Sequence, residues 1–244
     1  MSTALAGVAV VVCTCSVAAA ETLGVVELFT SQGCSSCPPA DKVLNEIAQD
    51  PNIVALSFSV DYWDYLGWQD TLAKPEFTQR QKAYADARGD RSIYTPQVVV
   101  NGRDHVVGSN REKILGVLDD FAAAGKGMTV EVTARIEGDR IVVRVPDGVL
   151  PPHTRAAVWI ASYREPVGVE IGRGENAGHE VTYTNAVERW QVLGMWDGDA
   201  MTVELQISDM TTDQTAGCAV VLQTKRKGRP GPILGAAKVS LAIN

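Results

Sequence analysis

Two cysteines in this sequence, Cys34 and Cys37, have the spacing of a redox-active pair. A strand-like apolar run at residues 25–29 precedes them, and a segment with helical spacing follows, with apolar residues at Ala40, Val43, Leu44, Ile47 and Ala48. The positive end of a helix dipole stabilises a thiolate at the first cysteine, and a second cysteine can then resolve a mixed disulfide. The spacing therefore predicts that Cys34 attacks and Cys37 resolves.

The same pair has other uses that the residues alone leave open. It forms an inert structural disulfide in some proteins, and half of a zinc site in others. Zinc needs two further ligands, and the remaining histidines and Cys218 show no finger-like spacing, so we predict no metal and no cofactor. A Cu(I)-handling protein would use the two thiolates, and a binding module would keep the disulfide closed.

Composition limits the class of protein. The chain has 244 residues, of which 45% are hydrophobic, so it is long enough to fold into two globular domains. Its net charge of −7 argues against nucleic acid as a partner.

The first twenty residues carry no charged side chain and include an apolar core followed by three alanines. This pattern is typical of a secretory signal peptide, which predicts residues 1–20 as a removed leader and a periplasmic or secreted protein without stable membrane insertion. An uncleaved membrane anchor is the alternative, but the segment barely reaches spanning length. Cys218 then remains as the odd cysteine, in an apolar strand pattern that predicts a buried, inert thiol.

Along the first half, the pattern predicts the order strand, helix, strand, helix, strand, strand, helix. The segments after the first helix are a strand at 53–60, a helix at 77–88, a hairpin around Asn101 and Gly102, and a helix that starts with a capping box at 109–112 and has an apolar stripe over 114–122. Between the second strand and the second helix lies an aromatic loop with Tyr62, Trp63, Tyr65 and Trp68. These rings either pack under the loop or form a recognition surface, and their place after a strand end favours the active side.

With this order, the first half resembles the thioredoxin fold through the cysteine pair and through Thr95 and Pro96. The resemblance implies a cis peptide bond before Pro96, which orients the substrate backbone, and it implies a proton acceptor on the first strand, which Glu27 matches in position. A strand-end glutamate facing solvent is the alternative for Glu27. We place Thr95 with Tyr62, Trp63 and Trp68 as candidate substrate contacts.

A longer set of segments, residues 27–41, 61–68, 94–97 and 231–236, resembles the DUF1223 family of exported thioredoxin-like proteins. The resemblance covers nearly all of the chain after the leader. It implies a fold, but no activity, because that family has no assigned substrate.

In the second half, apolar and polar residues alternate at 128–136 and 201–208, and five further strand-like segments include one at 180–193. About seven short segments of this kind predict antiparallel strands and no helix. The predicted class is therefore an α/β thioredoxin-like fold at 21–126, followed by an all-β, sandwich-like domain at 127–244. A glycine-rich stretch at 172–178 is predicted as a flexible connection. Four cationic residues within 225–229 indicate a solvated hairpin tip, with anionic surface binding as an alternative.

Together these patterns predict an exported thiol–disulfide oxidoreductase whose partner is a protein or small-molecule thiol or disulfide. A binding module or a Cu(I)-handling protein with a non-catalytic disulfide is the competing interpretation.

Overall fold

The computed structural model describes residues 22–241, so the predicted leader at 1–20 lies outside the described residues. The first half contains β1 (Gly24–Thr30), α1 (Pro38–Ala48), β2 (Ile53–Ser59), a 3-10 turn (Asp64–Leu66), α2 (Pro75–Arg88), β3 (Gln97–Val100), β4 (Asp104–Val107) and α3 (Arg111–Ala123). The second half contains β5 (Thr133–Glu137), β6 (Arg140–Val145), β7 (Arg155–Arg164), β8 (Val167–Glu170), β9 (Glu180–Tyr183), β10 (Val187–Trp196), β11 (Met201–Gln206), α4 (Ile207–Met210), β12 (Thr215–Arg226) and β13 (Arg229–Ser240).

The first sheet has the strand order β2-β1-β3-β4, in which β1 pairs parallel to β2 and antiparallel to β3. Every residue of the central strand β1 is buried. Because successive side chains of a strand point to opposite faces, Val26 and Leu28 pack with α1 and α3 on one face. Val25 and Phe29 pack with α2 on the other face. The helix that carries the cysteines therefore lies on the face opposite to α2.

The second half forms a four-stranded sheet, β10-β7-β12-β13, a three-stranded sheet, β11-β6-β5, and the hairpin β8-β9. One apolar core lies between the two larger sheets, and it contains Trp196, Val158 and Cys218. Cys218 is a free, buried cysteine, as predicted, and burial raises the pKa of its thiol to about 12.

The predicted fold class is wrong for this chain. Among the described residues, strands make up 42% and helices 20%, and the strands form four sheets. The protein is therefore mainly β rather than an α/β thioredoxin-like fold followed by an all-β domain. The helix and strand alternation that suggested α/β is confined to one four-stranded sheet. Within the described residues, the other three sheets hold nine strands, from β5 to β13, and the one helix among them is the four-residue α4.

The two halves share a core. One apolar cluster combines Phe29 and Phe58 of the first sheet with Val221 and Ile233 of β12 and β13. The boundary at 126/127 stays a prediction, but burial of this shared surface makes the two halves depend on each other for stability. Among residues 22–241, no helix combines the length and apolarity needed to cross a bilayer.

Candidate functional site

Cys34 and Cys37 form a disulfide with a Cα–Cα distance of 5.4 Å. Cys37 is the N-cap of α1, which begins at Pro38. Pro38 and Pro39 have no N–H to donate, and the next two amides, those of Ala40 and Asp41, bind the carbonyl of Cys37. The direct polar contact of Cys34 Sγ is the hydroxyl of Ser36, at 3.4 Å.

Both sulfur-bearing residues are buried. Cys34 is 2% exposed and Cys37 is 0% exposed, whereas Ser35 and Ser36 between them are exposed. A thiol reacts only when an incoming group can reach it. Attack on this disulfide therefore requires the surrounding groups to move away from Cys34.

Trp63 connects the cysteine loop to the predicted proline. Gly33 packs against Trp63 so closely that an added Cβ would lie 3.1 Å from the Trp63 Cβ. The indole N–H of Trp63 donates to Thr95 Oγ1 at 2.7 Å, and the Thr95–Pro96 bond is cis, as the resemblance implied. The structure thus brings Trp63, Thr95 and Pro96 together beside the cysteines.

Pro96 itself is buried near the first turn of α1. A Cβ added at Gly108 would lie 3.0 Å from the Ala40 Cβ and 3.3 Å from the Pro96 Cβ. Tyr62 lies next to this group, with its ring centroid 5.9 Å from that of Trp63.

Trp68, also predicted to contact substrate, is instead engaged in holding the cysteine loop. Its indole N–H donates to Gln32 Oε1 at 2.8 Å, and the same oxygen accepts from the amide of Thr71 at 3.2 Å. Its ring packs in a small apolar cluster with Ile171 and Tyr183. The aromatic loop therefore serves packing at Trp68 and lies beside the cysteines at Tyr62 and Trp63.

The segment between β8 and β9, residues 171–179, forms a strap that reaches the cysteine loop from the second half of the chain. Asn176, only 4% exposed, donates from Nδ2 to the carbonyls of Gln32 and Cys34, each at 2.9 Å. The amide of Ile171 donates to the carbonyl of His179 at 2.9 Å, and the amide of Gly178 donates to the carbonyl of Ile171 at 2.8 Å, which closes the strap. The sequence predicted a connection without chemistry here, whereas the structure places a clamp on the cysteine loop.

Glu27 is not brought together with the cysteines. It is 0% exposed, so the alternative that it faces solvent is wrong. Its carboxylate binds Arg80 Nε at 2.7 Å and the Tyr84 hydroxyl at 2.5 Å, both on α2. Glu27 therefore faces away from α1, and its role as proton acceptor stays a prediction.

The described residues that form this site all lie within the range that a family model covers. The model of DUF1223, described as a protein of unknown function, matches residues 25–223. This chain belongs to the DUF1223 family. Membership of the DUF1223 family, which the resemblance predicted, is thereby confirmed.

One solved structure is closely similar to this DUF1223 protein. The X-ray crystal structure of protein AGR_C_4864 from Agrobacterium tumefaciens has 40% sequence identity and a TM-score of 0.82, and the match covers 92% of this chain and 96% of that one. A search of curated proteins found no match.

Two buried carboxyl groups near the cysteines of the DUF1223 protein were missed by sequence reasoning. Asp41, in the first turn of α1, is 3% exposed; its Oδ2 accepts from Thr30 Oγ1 at 3.2 Å, and its Oδ1 has no partner among the described residues. Burial raises the pKa of Asp41 well above its usual range, and repulsion from Asp70 raises it further. Asp41 follows Cys37 by one helical turn, which is the one sequence feature that marks it.

Asp70 binds the cysteine loop directly. Its Oδ2 accepts from the amide of Gln32, and its Oδ1 accepts from the amide of Leu72, each at 2.8 Å. Burial raises the pKa of Asp70 to about 6, against the opposing effect of these two amides. A carboxyl with this pKa exchanges protons near neutral pH.

We expect Asp70 to make the stability of the DUF1223 protein depend on pH in an unusual direction. Its pKa is raised from 3.8 to about 6 on folding, so its contribution is complete below about pH 4 and is lost as the pH rises through 6. Asp70→Asn behaves like the protonated form. The wild-type free energy of unfolding, relative to that variant, should fall by about 2 kcal/mol between pH 4 and pH 7. Urea unfolding of both proteins across this pH range measures the difference in the free energy of unfolding. If that difference were the same at every pH, the expectation would be contradicted.

Metal ligands are sparse in the described part of the DUF1223 protein. Between residues 22 and 241, no group of three or more His, Cys, Asp or Glu side chains is placed to hold a metal ion. A Cu(I) site would rest on Cys34 and Cys37 alone.

Proposed function

We propose that this protein is an exported thiol–disulfide oxidoreductase that acts on a protein or a small-molecule thiol or disulfide. The observation that carries the proposal is the Cys34–Cys37 disulfide at the start of α1, with Trp63 and the cis Thr95–Pro96 bond packed beside it. A dithiol at a helix N-terminus is suited to exchange chemistry. The periplasm or the outside of the cell is the proposed location.

In the reduced protein, the Cys34 thiolate attacks one sulfur of a substrate disulfide, and the other substrate sulfur leaves as a thiolate. The Cys37 thiolate then attacks Cys34 Sγ, which releases the second substrate thiolate and closes the Cys34–Cys37 disulfide. Two electrons pass from the protein to the substrate, and the reverse sequence oxidises a substrate dithiol. The proton of Cys37 passes to a carboxylate, for which Glu27 was predicted and Asp41, one turn along α1, is the nearer candidate in the chain.

Substrate binding is proposed beside the cysteines. Tyr62, Trp63 and Thr95 are half-buried there, and Thr95 Oγ1 accepts a hydrogen bond from the Trp63 indole N–H, so we place the substrate against these three side chains, with Pro96 orienting its backbone. Trp68 acts indirectly, through its hydrogen bond to Gln32.

A second candidate function is favoured by the burial of both cysteines and by the strap that clamps Cys34. In this case the disulfide stays closed and fixes the loop of a binding module. Tyr65, which is 78% exposed on the aromatic loop, would then contact the partner.

The reduction potential of the Cys34–Cys37 pair separates the two candidates. The protein is equilibrated in glutathione buffers, quenched by alkylation and weighed by mass spectrometry. We expect a potential between about −120 mV, typical of a disulfide donor, and about −270 mV, typical of a reductant. If the reduction potential of the pair lay below about −300 mV, the disulfide would be a closed, structural one, and the oxidoreductase proposal would be overturned. The alkylation is carried out in denaturant so that it reaches buried thiols, and the free Cys218, which should be alkylated in every sample, is the internal control for complete reaction.

A further inference from the structure

A cavity of about 500 Å³, separate from the cysteines, is lined by four cationic side chains: Arg103, Arg226, Lys227 and Arg229. It lies between the β3–β4 turn, the segment before β7 and the β12–β13 hairpin, and none of its lining residues is acidic. The chain as a whole carries a net charge of −7. Such a concentration of positive charge in an acidic protein is typical of an anion site.

The position of Arg103 is fixed by a tight turn. Asn101 and Gly102 both have positive φ values, 50° and 64°, and the amide of Ile233 on β13 donates to the Asn101 carbonyl at 2.9 Å. A Cβ at Gly102 would lie 2.7 Å from the carbonyl oxygen of Gly231, so the turn packs directly against β13. Arg103 is half-buried, and its Nε is buried without a hydrogen-bond partner in the described residues. The guanidinium of Arg103 lies over the ring of Phe121, 5.8 Å from the ring centroid, which supports the side chain at the wall of the cavity.

The other cations come from the β12–β13 hairpin. Arg229 Nη1 donates to the carbonyl of Asp86 at 3.1 Å, which anchors this side chain to α2. Arg226 and Lys227 are exposed at the hairpin turn. Within residues 22–241, none of the four cationic groups forms an ion pair with a carboxylate. Burial lowers the pKa of Arg103, and attraction to the carboxylate of Asp104, the next residue in the chain, opposes this effect.

We propose that this cavity binds a phosphate group, either of a soluble phosphate compound or of a lipid headgroup. The guanidinium groups of Arg103 and Arg229 offer planar pairs of donors that match phosphate oxygens, and Lys227 adds a point charge. The cavity also has apolar lining from Pro151, Pro232 and Leu234, which accommodates the apolar part of an organic phosphate. The site shares no lining residue with the cysteine loop or the strap, so it does not rest on the proposed redox function.

Calorimetric titration of the full chain with inorganic pyrophosphate at low salt tests the soluble source. Co-sedimentation with phosphatidylglycerol vesicles, compared with phosphatidylcholine vesicles, tests the lipid source. We expect saturable binding in at least one of the two experiments, and a loss of about tenfold or more in affinity for Arg103→Ala/Arg229→Ala. The matched control is Lys113→Ala/Arg135→Ala, which removes the same charge from exposed residues outside the cavity and should change affinity less than about twofold.

Pyrophosphate binding supports a soluble phosphate compound, and binding to phosphatidylglycerol vesicles alone supports a lipid headgroup. Absence of binding in both experiments overturns the site. An equal loss of affinity in the control variant also overturns the site, because binding of the anion would then depend only on the net charge of the protein. If Arg103→Ala/Arg229→Ala melts at a lower temperature than the wild type, Lys227→Glu at the exposed hairpin turn replaces it, with the same expected loss.

Discussion

A Cys37→Ser variant is expected to accumulate a stable mixed disulfide through Cys34, whereas Cys34→Ser is expected to lose thiol exchange down to the uncatalysed rate. Exchange begins when Cys34 forms the mixed disulfide, and Cys37 is the group that breaks it. Without Cys37 the intermediate has no internal route to resolution. Each variant, reduced and then mixed with oxidised glutathione, is followed by intact mass at neutral pH.

The control for this pair is Cys218→Ser, which should exchange like the wild type because Cys218 lies buried in the core between the sheets of the second half. If Cys34→Ser and Cys37→Ser accumulated the mixed disulfide with glutathione equally, the two cysteines would have no distinct roles. A lack of reaction in reduced Cys37→Ser would show that Cys34 stays covered, as its 2% exposure in the closed state permits, and would favour the binding module.

Local elements of the first half could be predicted from the sequence because each depends on a pattern within one short segment. The apolar run at 25–29 lies within β1, Gly24–Thr30, and the predicted apolar stripe at 114–122 lies within α3, Arg111–Ala123. The predicted capping box begins at Ser109, whereas Asn110, one residue later, caps the helix by accepting from the amide of Lys113 at 3.0 Å. Such caps and periodicities are readable without any knowledge of distant contacts.

Patterns that depend on distant contacts gave wrong boundaries in the second half. A single strand was predicted at 180–193, but the structure has β9 and β10 in different sheets. Asn185 separates them with φ at 50°, and its Nδ2 donates to the carbonyl of Ala55 at 2.9 Å. The break is therefore stabilised by the edge of β2, which lies 130 positions away in sequence.

The candidate site was predicted only in part, because some of its residues belong to local motifs and others are placed by contacts distant in sequence. The cysteines and the cis proline belong to short motifs, whereas Asn176 reaches the Cys34 carbonyl across 142 positions and has no local signature. Glu27 was predicted to face the cysteines, but β1 is apolar on both faces, so alternation could not show which side the glutamate takes. Its partner Arg80 on α2 decides the side.

Arg80→Met should destabilise the folded protein by about 3–5 kcal/mol, because it leaves the Glu27 carboxylate buried without its ion pair. The side chains of Arg80 and Glu27 are only 7% and 1% exposed, and their closest N–O distance is 2.7 Å. The guanidinium also donates to the Tyr84 hydroxyl at 2.8 Å and to Gln223 Oε1 at 3.2 Å, and it lies 4.0 Å from the ring centroid of Trp190. Urea unfolding at pH 7 measures the loss.

The double variant Glu27→Leu/Arg80→Met separates the ion pair from the packing around it. Because it removes both charges together, we expect it to be clearly more stable than Arg80→Met alone. Gln223 Nε2 already donates to the Tyr84 hydroxyl at 2.8 Å, so that hydroxyl keeps a partner in the double variant.

The control is Arg111→Met. The ion pair of Arg111 with Glu46 is exposed, so this variant should lower the free energy of unfolding by no more than about 1 kcal/mol. If the double variant were as unstable as the sum of its single changes, the cost would lie in the lost contacts to β12 and β10 rather than in an unpaired charge. The network of Glu27, Arg80 and Gln223 would then act chiefly by holding the two halves of the chain together.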